Sequence, residues 1–285
     1  MPGDLEEWLK GGSLSHEGLT EFISGVHDKL DKGFSHEILD LRSVDGKSSY
    51  SFFADAVDSD AGCRILDLGC ADGGLIPFLR FRSYTGLDVS AAEIDRAKMT
   101  YERRSDVSFF RSPVGQYKTE ERFERIVAHL SLPLMVPLES LANNIGDWLA
   151  PGGRFVYNLP VAPAVPTEFH DVSLLIREFV KARYPGGLQL GDARPLDQKA
   201  MAGLFQTHAN LDVSIVSEDY GFTVNISAQQ AYETFTNKYL LQALPSPDRG
   251  ELNQAIRAKI NEIFAGRDTV PFSMNYRVFT CRIGP

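Results

Sequence analysis

Arg64-Ile65-Leu66-Asp67-Leu68-Gly69-Cys70-Ala71-Asp72-Gly73-Gly74-Leu75 decides the reading of the chain. A short apolar run carries an acid, Asp67, and breaks into a loop of small residues; a second apolar segment, residues 75–79, follows at once. The pattern predicts a buried strand, a tight turn and the first turn of a helix. Gly69, Ala71, Gly73 and Gly74 keep side chains off the turn, so its backbone can lie against a ligand. A dinucleotide loop would read G-x-G-x-x-G, with phosphate at the helix N-terminus. Here the middle position is Ala71 and the strand end holds Asp67. A carboxylate repels phosphate and attracts an ammonium.

Working outward, Ser83-Tyr84-Thr85-Gly86-Leu87-Asp88 reads as a second strand ending in an acid. Asp88 falls about 20 residues beyond Gly69, the spacing at which a carboxylate accepts from vicinal ribose hydroxyls. Val89 follows, and Ser90-Ala91-Ala92-Glu93 has the form of a capping box opening a helix to about residue 103. Residues 107–111 and 122–130 read as the third and fourth strands. Residues 138–149 show helical periodicity, and after Ala150-Pro151-Gly152-Gly153 residues 154–159 form a fifth strand.

Asp67-Leu68-Gly69-Cys70-Ala71-Asp72-Gly73 resembles motif I of the class I S-adenosylmethionine methyltransferases. Leu149-Ala150-Pro151-Gly152-Gly153-Arg154-Phe155 is similar to that family's L-x-P-G-G turn before the fifth strand. The specific likeness covers roughly residues 60–160. It implies a Rossmann-like α/β fold: a seven-stranded, mostly parallel sheet with an antiparallel last strand, helices on both faces, and a helical lid. It implies S-adenosylmethionine as cofactor and S-adenosylhomocysteine as product. By the same likeness Asp67 holds the amino group, with Gly69, Cys70, Ala71, Asp72 and Gly73 under the methionine part and Asp88 and Val89 at the ribose. Ser112, Pro113 and Val114 stand at the adenine; the family often has an acid there and this chain has Pro113, so Ser112 or backbone must replace it. His129 and Leu130, at the end of the fourth strand, abut the reactive methyl. His129 is also the candidate base, since its titration range suits proton transfer, with packing as its alternative role. Tyr50, Ser131, Tyr157 and His170 are the candidate substrate contacts. His16, His27, His36 and His208 read as surface or packing residues. Arg111 and Arg277 could pair with an acidic substrate, though a surface role is favoured for both.

Before the motif, residues 1–60 form a helical lead-in. Leu19, Phe22, Ile23, Val26 and Leu30 share one helical face, with Gly33 as its stop. Residues 61–225 are the expected core, with helices over 169–184 and 196–208 and strand-like alternation over 211–224. Residues 226–270 are a helical insertion, read as two helices divided by Pro245-Ser246-Pro247-Asp248. Residues 271–285 bring a final strand whose alternation suits an edge. A reversed strand reached through inserted helices is similar to small-molecule carboxyl methyltransferases, such as those acting on trans-aconitate, malonyl carrier protein or juvenile hormone acid, whose insertion covers the substrate.

Composition narrows the partners. With 285 residues, 43% of them hydrophobic, the chain can build a large core. No stretch is apolar for the ~18 residues a membrane span needs. The acidic start lacks the plan of a signal peptide. Three scattered cysteines give neither a disulfide framework nor zinc spacing, so a cytoplasmic setting and no metal are expected. The net charge of −9 argues against nucleic acid. The fourth-strand exit, Ala128-His129-Leu130-Ser131-Leu132-Pro133, has neither clustered carboxylates for a metal-assisted mechanism nor the Asn/Asp-Pro-Pro-Tyr run of amino-methylating nucleic-acid enzymes. The expected activity is methyl transfer to a small organic acceptor, at oxygen of a carboxylate or hydroxyl. The alternatives are a cofactor-binding protein with a non-methylating role, such as a cyclase, and a nicotinamide oxidoreductase, which Ala71 and Asp67 disfavour. Oligomeric state has no sequence signature here.

Overall fold

Strands that alternate between two apolar faces organise the chain around a single sheet. The protein is described from a computed structural model, which covers residues 3–12, 14–29, 41–43, 45–163 and 167–283. Leu30, Gly33 and His36 of the expected lead-in lie outside these residues. The strands are β1 (Arg64–Leu68), β2 (Ser83–Asp88), β3 (Val107–Arg111), β4 (Phe123–His129), β5 (Leu149–Pro160), β6 (Val213–Ile226) and β7 (Val270–Ile283). They form a seven-stranded sheet in the order β3-β2-β1-β4-β5-β7-β6. The pairs among β1 to β5 are parallel, and β7 lies antiparallel to β5. The last strand was expected at an edge, but β6 takes that place and β7 is interior; Phe279 and Cys281 are accordingly buried.

Each face has its own helices. Leu66, Leu68, Ile126, Ala128, Phe155, Tyr157 and Phe279 pack on one side with α5 (Leu138–Trp148) and α7 (Gln198–Ala209). Ile65, Tyr84, Val127, Val156 and Val278 pack on the other with α3 (Ser49–Val57) and α4 (Ala91–Thr100). The period-2 alternation of strand side chains produces this division, and it later decides which residues can share a site.

Three local expectations are corrected. After the first loop there is only a 3₁₀ turn, Ile76–Phe78, with Pro77 in it. Pro77 lacks the N–H that a longer ladder would use. Ser90 does cap α4, accepting from the Glu93 N–H at 3.2 Å, but the box is not reciprocal: the Ser90 N–H donates to Asp88 Oδ1. The Pro245-Ser246-Pro247-Asp248 divider falls at the start of α10 (Ser246–Ile263), where proline in the first turn forfeits no helical bond. Between Ile226 and this helix lie two helices, α8 (Ala228–Thr236) and α9 (Tyr239–Ala243).

The chain divides into two compact units. One comprises Met1–Phe22, Ala162–Leu190 and Gly221–Asn275; the other comprises Ile23–Val161, Gly191–Tyr220 and Tyr276–Pro285. The expected boundaries therefore shift. Residues 162–190 and 221–225 go with the insertion rather than the core, and the lead-in is divided between the units. The first unit contains α1 (Gly3–Leu9), α6 (His170–Arg183) and α8 to α10, and is built around aromatic contacts of Phe169 with Phe235, Phe264 and Phe272. The second holds α2 (His16–His27) from Ile23 onward. Among the described residues, no helix is long and apolar enough to cross a membrane.

Candidate active site

The carboxyl ends of parallel strands are where ligands bind in this architecture, and the strand register shows what stands there. Asp67 is on the same face of β1 as Ile65, beside Tyr84 on β2, whose hydroxyl donates to Asp67 Oδ2 at 2.5 Å. Asp67 is buried, and its Oδ1 has no hydrogen-bond partner. Burial raises its titration to about 7, opposed by the Tyr84 hydrogen bond and assisted by the nearby Asp88 charge. Gly86, opposite Asp67 in the register, leaves the needed room: a Cβ there would lie 2.7 Å from Cys70 Sγ.

The loop after β1 is tied down by β2. Gly69 and Cys70 N–H groups both donate to the Leu87 carbonyl, and the Ala71 N–H donates to Asp88 Oδ2 at 2.9 Å. Gly69, Ala71 and Gly73 all have positive φ, at 73°, 47° and 82°. This is the backbone that small residues permit. Asp88 Oδ1 accepts from Ser90 N–H. Burial pushes its acid up while these two backbone donors pull it down. Each carboxylate oxygen keeps a further lone pair. Cys70 is a buried thiol raised by burial, and Tyr101 braces the loop through the Gly73 carbonyl at 3.0 Å. Ser112 N–H donates to the Asp88 carbonyl and its hydroxyl to the Pro113 carbonyl; Val114 opens a 3₁₀ turn beyond.

On the same sheet face, β4 ends in His129. Its Nε2 lies 2.9 Å from Ser49 Oγ on α3, Tyr50 stacks on the imidazole at 4.4 Å, and Phe53 lies at 5.2 Å. Burial alone pushes this imidazole down to about 3. His129 pairs in register with Asn158 of β5. Asn158 Oδ1 accepts from the Leu130 N–H at 3.0 Å, and Nδ2 donates to the Tyr220 hydroxyl at 2.7 Å. Leu130 itself is at φ 59°. Tyr220 stacks with Phe52 at 5.4 Å and with Tyr276 at 5.2 Å. Ser131 Oγ donates to the Leu68 carbonyl at 2.8 Å, joining the exits of β4 and β1.

The structure thus brings together Asp67, Gly69, Cys70, Ala71, Asp72, Gly73 and Asp88 around one pair of strand ends. It gathers Tyr50, His129, Leu130 and Ser131 around the next. Two expected substrate contacts are not among them. Tyr157 points to the opposite face, where its hydroxyl donates to the Pro195 carbonyl at 2.9 Å and its ring stacks on Phe279 at 4.7 Å. His170 is an exposed residue at the start of α6, in the other unit. Arg277 forms a two-pronged pair with Asp219, and Arg111 donates to the Val89 carbonyl. Ser49, Tyr84, Asn158, Tyr220 and Tyr276 were not anticipated. For Asn158 the signal was present: in a parallel pair, the register partner of His129 shares its face, and its neighbour Tyr157 does not.

A parallel sheet of this order, with one buried acid short of a partner at the end of β1 and a second at the end of β2, defines a Rossmann-like fold fitted to a nucleoside that carries a cation. Asp67 supplies the test of fit, since its orphaned oxygen is the group an ammonium would satisfy. Residues 65–153 match a family model described as a methyltransferase domain. Over that stretch the chain resembles methyltransferase domains. Solved structures similar to it include a proposed methyltransferase of Bacillus halodurans C-125, at TM-score 0.51 and 16% identity over 82% of this chain and 98% of that one. The YcgJ protein of Bacillus subtilis aligns at TM-score 0.52 and 14% identity, over 82% and 97%. Among curated proteins, a polyketide synthase-nonribosomal peptide synthetase of Aspergillus flavipes is 29% identical over 105 residues. That match takes in 33% of this chain and only 3% of the fungal protein.

Proposed function

We propose that the protein transfers a methyl group from S-adenosylmethionine to the oxygen of a small organic acceptor, a carboxylate or a hydroxyl. The observation that carries this reading is Asp67, a buried acid with one oxygen unmet at the mouth of a glycine-rich loop. Asp67 would hold the ammonium of the cofactor, Asp88 the ribose hydroxyls, and the backbone from Gly69 to Gly73 the methionine part. Ser112, Pro113 and Val114 would stand near the adenine, with Ser112 in place of the missing acid. When bound, the cofactor supplies a methyl already activated on a sulfonium, so the protein mainly aligns the acceptor and excludes water.

His129 and Leu130 form the wall beside the reacting centre, with Tyr50 and Ser131 toward the acceptor. His129 is there a packing and positioning residue within hydrogen-bond distance of Ser49 rather than a base: an imidazole depressed to about 3 is too weakly basic to take a proton effectively at neutral pH. With a net charge of −9 the partner is a small molecule rather than a nucleic acid, and the setting is cytoplasmic.

Calorimetric titration with S-adenosylhomocysteine, followed by incubation of acceptors with methyl-labelled cofactor, tests the proposal. Binding of S-adenosylhomocysteine and its formation alongside a labelled product are expected. Stabilisation by NADH but not by S-adenosylhomocysteine would overturn it. Cofactor binding with no demethylated coproduct from any acceptor would favour a non-methylating role.

A further inference from the structure

Asp88 is held in place by its neighbours. Its two oxygens take the Ala71 N–H and the Ser90 N–H, each at 2.9 Å. Its orientation is therefore set by the loop after β1 on one side and by the Val89–Ser90 peptide on the other. That peptide unit is planar, so whatever grips its carbonyl or the Ser90 side chain also fixes the N–H that Asp88 accepts. Arg111 Nε donates to the Val89 carbonyl at 3.1 Å. Ser90 is fully buried, and its hydroxyl oxygen accepts from the Glu93 N–H at 3.2 Å in the first turn of α4. The hydroxyl proton goes to Oδ1 of Asp28 at 2.6 Å.

Asp28 reaches this corner from the end of α2. Its N–H donates to the Ser24 carbonyl at 2.8 Å and so continues the helical ladder. Its side chain then serves α4 as a cap supplied from another helix: Oδ1 accepts from Ser90 and also from the Ala92 N–H at 3.2 Å. Two more residues of the same turn face the same way. Ser24 Oγ lies 3.3 Å from Asp28 Oδ2 and 3.4 Å from the Val89 carbonyl, and His27 Nδ1 lies 3.3 Å from Glu93 Oε1 on α4. Burial would raise the Asp28 acid, but hydrogen bonds from Ser90, Ala92 and Ser24 and the charge of Arg111 hold it below the usual carboxylate range. A hydroxyl bond to an ionised acceptor is of the stronger kind. Without Asp28, the buried Ser90 hydroxyl loses the acceptor of its proton, and an unmet buried donor is costly.

We propose that Asp28 is a positioning residue for the cofactor's ribose: acting through Ser90, it holds the corner from which Asp88 meets the two ribose hydroxyls. The inference rests on the proposed binding of S-adenosylmethionine and extends that site to a residue far upstream of the glycine-rich loop. A role in folding alone would weaken every ligand of the site alike. A role in holding Asp88 is confined to ligands that carry the hydroxyls.

Calorimetric titration of the full chain separates these roles. Asp28→Ala should weaken S-adenosylhomocysteine binding about fivefold, the ordinary worth of one hydrogen bond, and should leave binding of the 2′,3′-dideoxy analogue unchanged. Asp28→Asn keeps an oxygen for Ser90 and Ala92 and should restore most of the affinity. In an Asp88→Ala background, Asp28→Ala should cost nothing further, because the residue through which it acts is gone. Unchanged S-adenosylhomocysteine affinity in Asp28→Ala, equal weakening of both ligands, a loss in Asp28→Asn as large as in Asp28→Ala, or additive losses in the double variant would each overturn the inference. Affinity of the wild type for S-adenosylhomocysteine separates the two levels. Its absence defeats the cofactor reading itself, and its presence at equal strength in wild type and Asp28→Ala defeats the positioning role alone.

Discussion

The strand ends of β1 and β2 differ from those of β4 and β5 in how completely they satisfy themselves. Around Asp67 and Asp88 two acids are buried close together, and Asp67 keeps an oxygen with no partner. Around His129 and Asn158 the groups are neutral and engaged with one another. Buried charge is tolerated only when it is paired. The first region is therefore built to be completed by a cation, and the second can hold a neutral partner without any such demand. Sidedness on the sheet puts both on one face, where two halves of a reaction could meet.

The largest expected effect comes from removing the charge that the first region leaves unpaired. Asp67→Asn should weaken S-adenosylhomocysteine binding by about 3 kcal/mol, the upper range for a hydrogen bond to a charged group. Because it relieves a buried acid, it should leave the ligand-free melting temperature unchanged or raise it. Asp88→Ala should cost about 1–3 kcal/mol of cofactor affinity. It should also lower the melting temperature, since the Ala71 and Ser90 N–H groups lose their acceptor. Either substitution with unchanged calorimetric affinity would remove that acid from the cofactor site.

Protonation gives a second way to sharpen the contrast. The Asp67 carboxyl titrates near 7 in the folded chain, above its unfolded value of about 3.9. Between these two values the folded state binds the extra proton, so the contribution of Asp67 to stability is full below pH ~4 and is lost as pH rises through about 7. Ligand affinity has the opposite sign: an ammonium prefers the ionised acid, so S-adenosylhomocysteine should bind more tightly as pH rises from 6 to 8. Tyr84→Phe removes the hydrogen bond that favours ionisation. It should move this binding profile to higher pH and cost about 1 kcal/mol of affinity at neutral pH. A pH-independent affinity in wild type would contradict the ionisation of Asp67 as the linked event.

The smallest effect belongs to the face that does not participate. Tyr157→Phe should destabilise folding by about 1 kcal/mol through the lost bond to Pro195 and leave cofactor affinity intact. A changed affinity would place Tyr157 in the site after all.

The first region was legible in the sequence because its parts are local. Asp67, its loop, and Asp88 lie within one strand–loop–strand stretch, and the acid within an apolar run is itself the signal. The second region was only half legible. His129 was visible as an ionisable residue at a strand end, but Ser49, Tyr220 and Tyr276 arrive from segments far apart in the chain, and no local spacing links them. Tyr157 was the contact expected from β5, and Asn158 was not considered. The two-residue period of β5, applied together with the position of His129, points to Asn158 instead.

Calorimetric titration of wild type and Asp67→Asn with S-adenosylhomocysteine, each at pH 6 and pH 8, addresses the unpaired acid most directly. The expected result is affinity that rises with pH in wild type and is weak and insensitive to pH in the variant. Equal affinities for the two proteins at both pH values would contradict it.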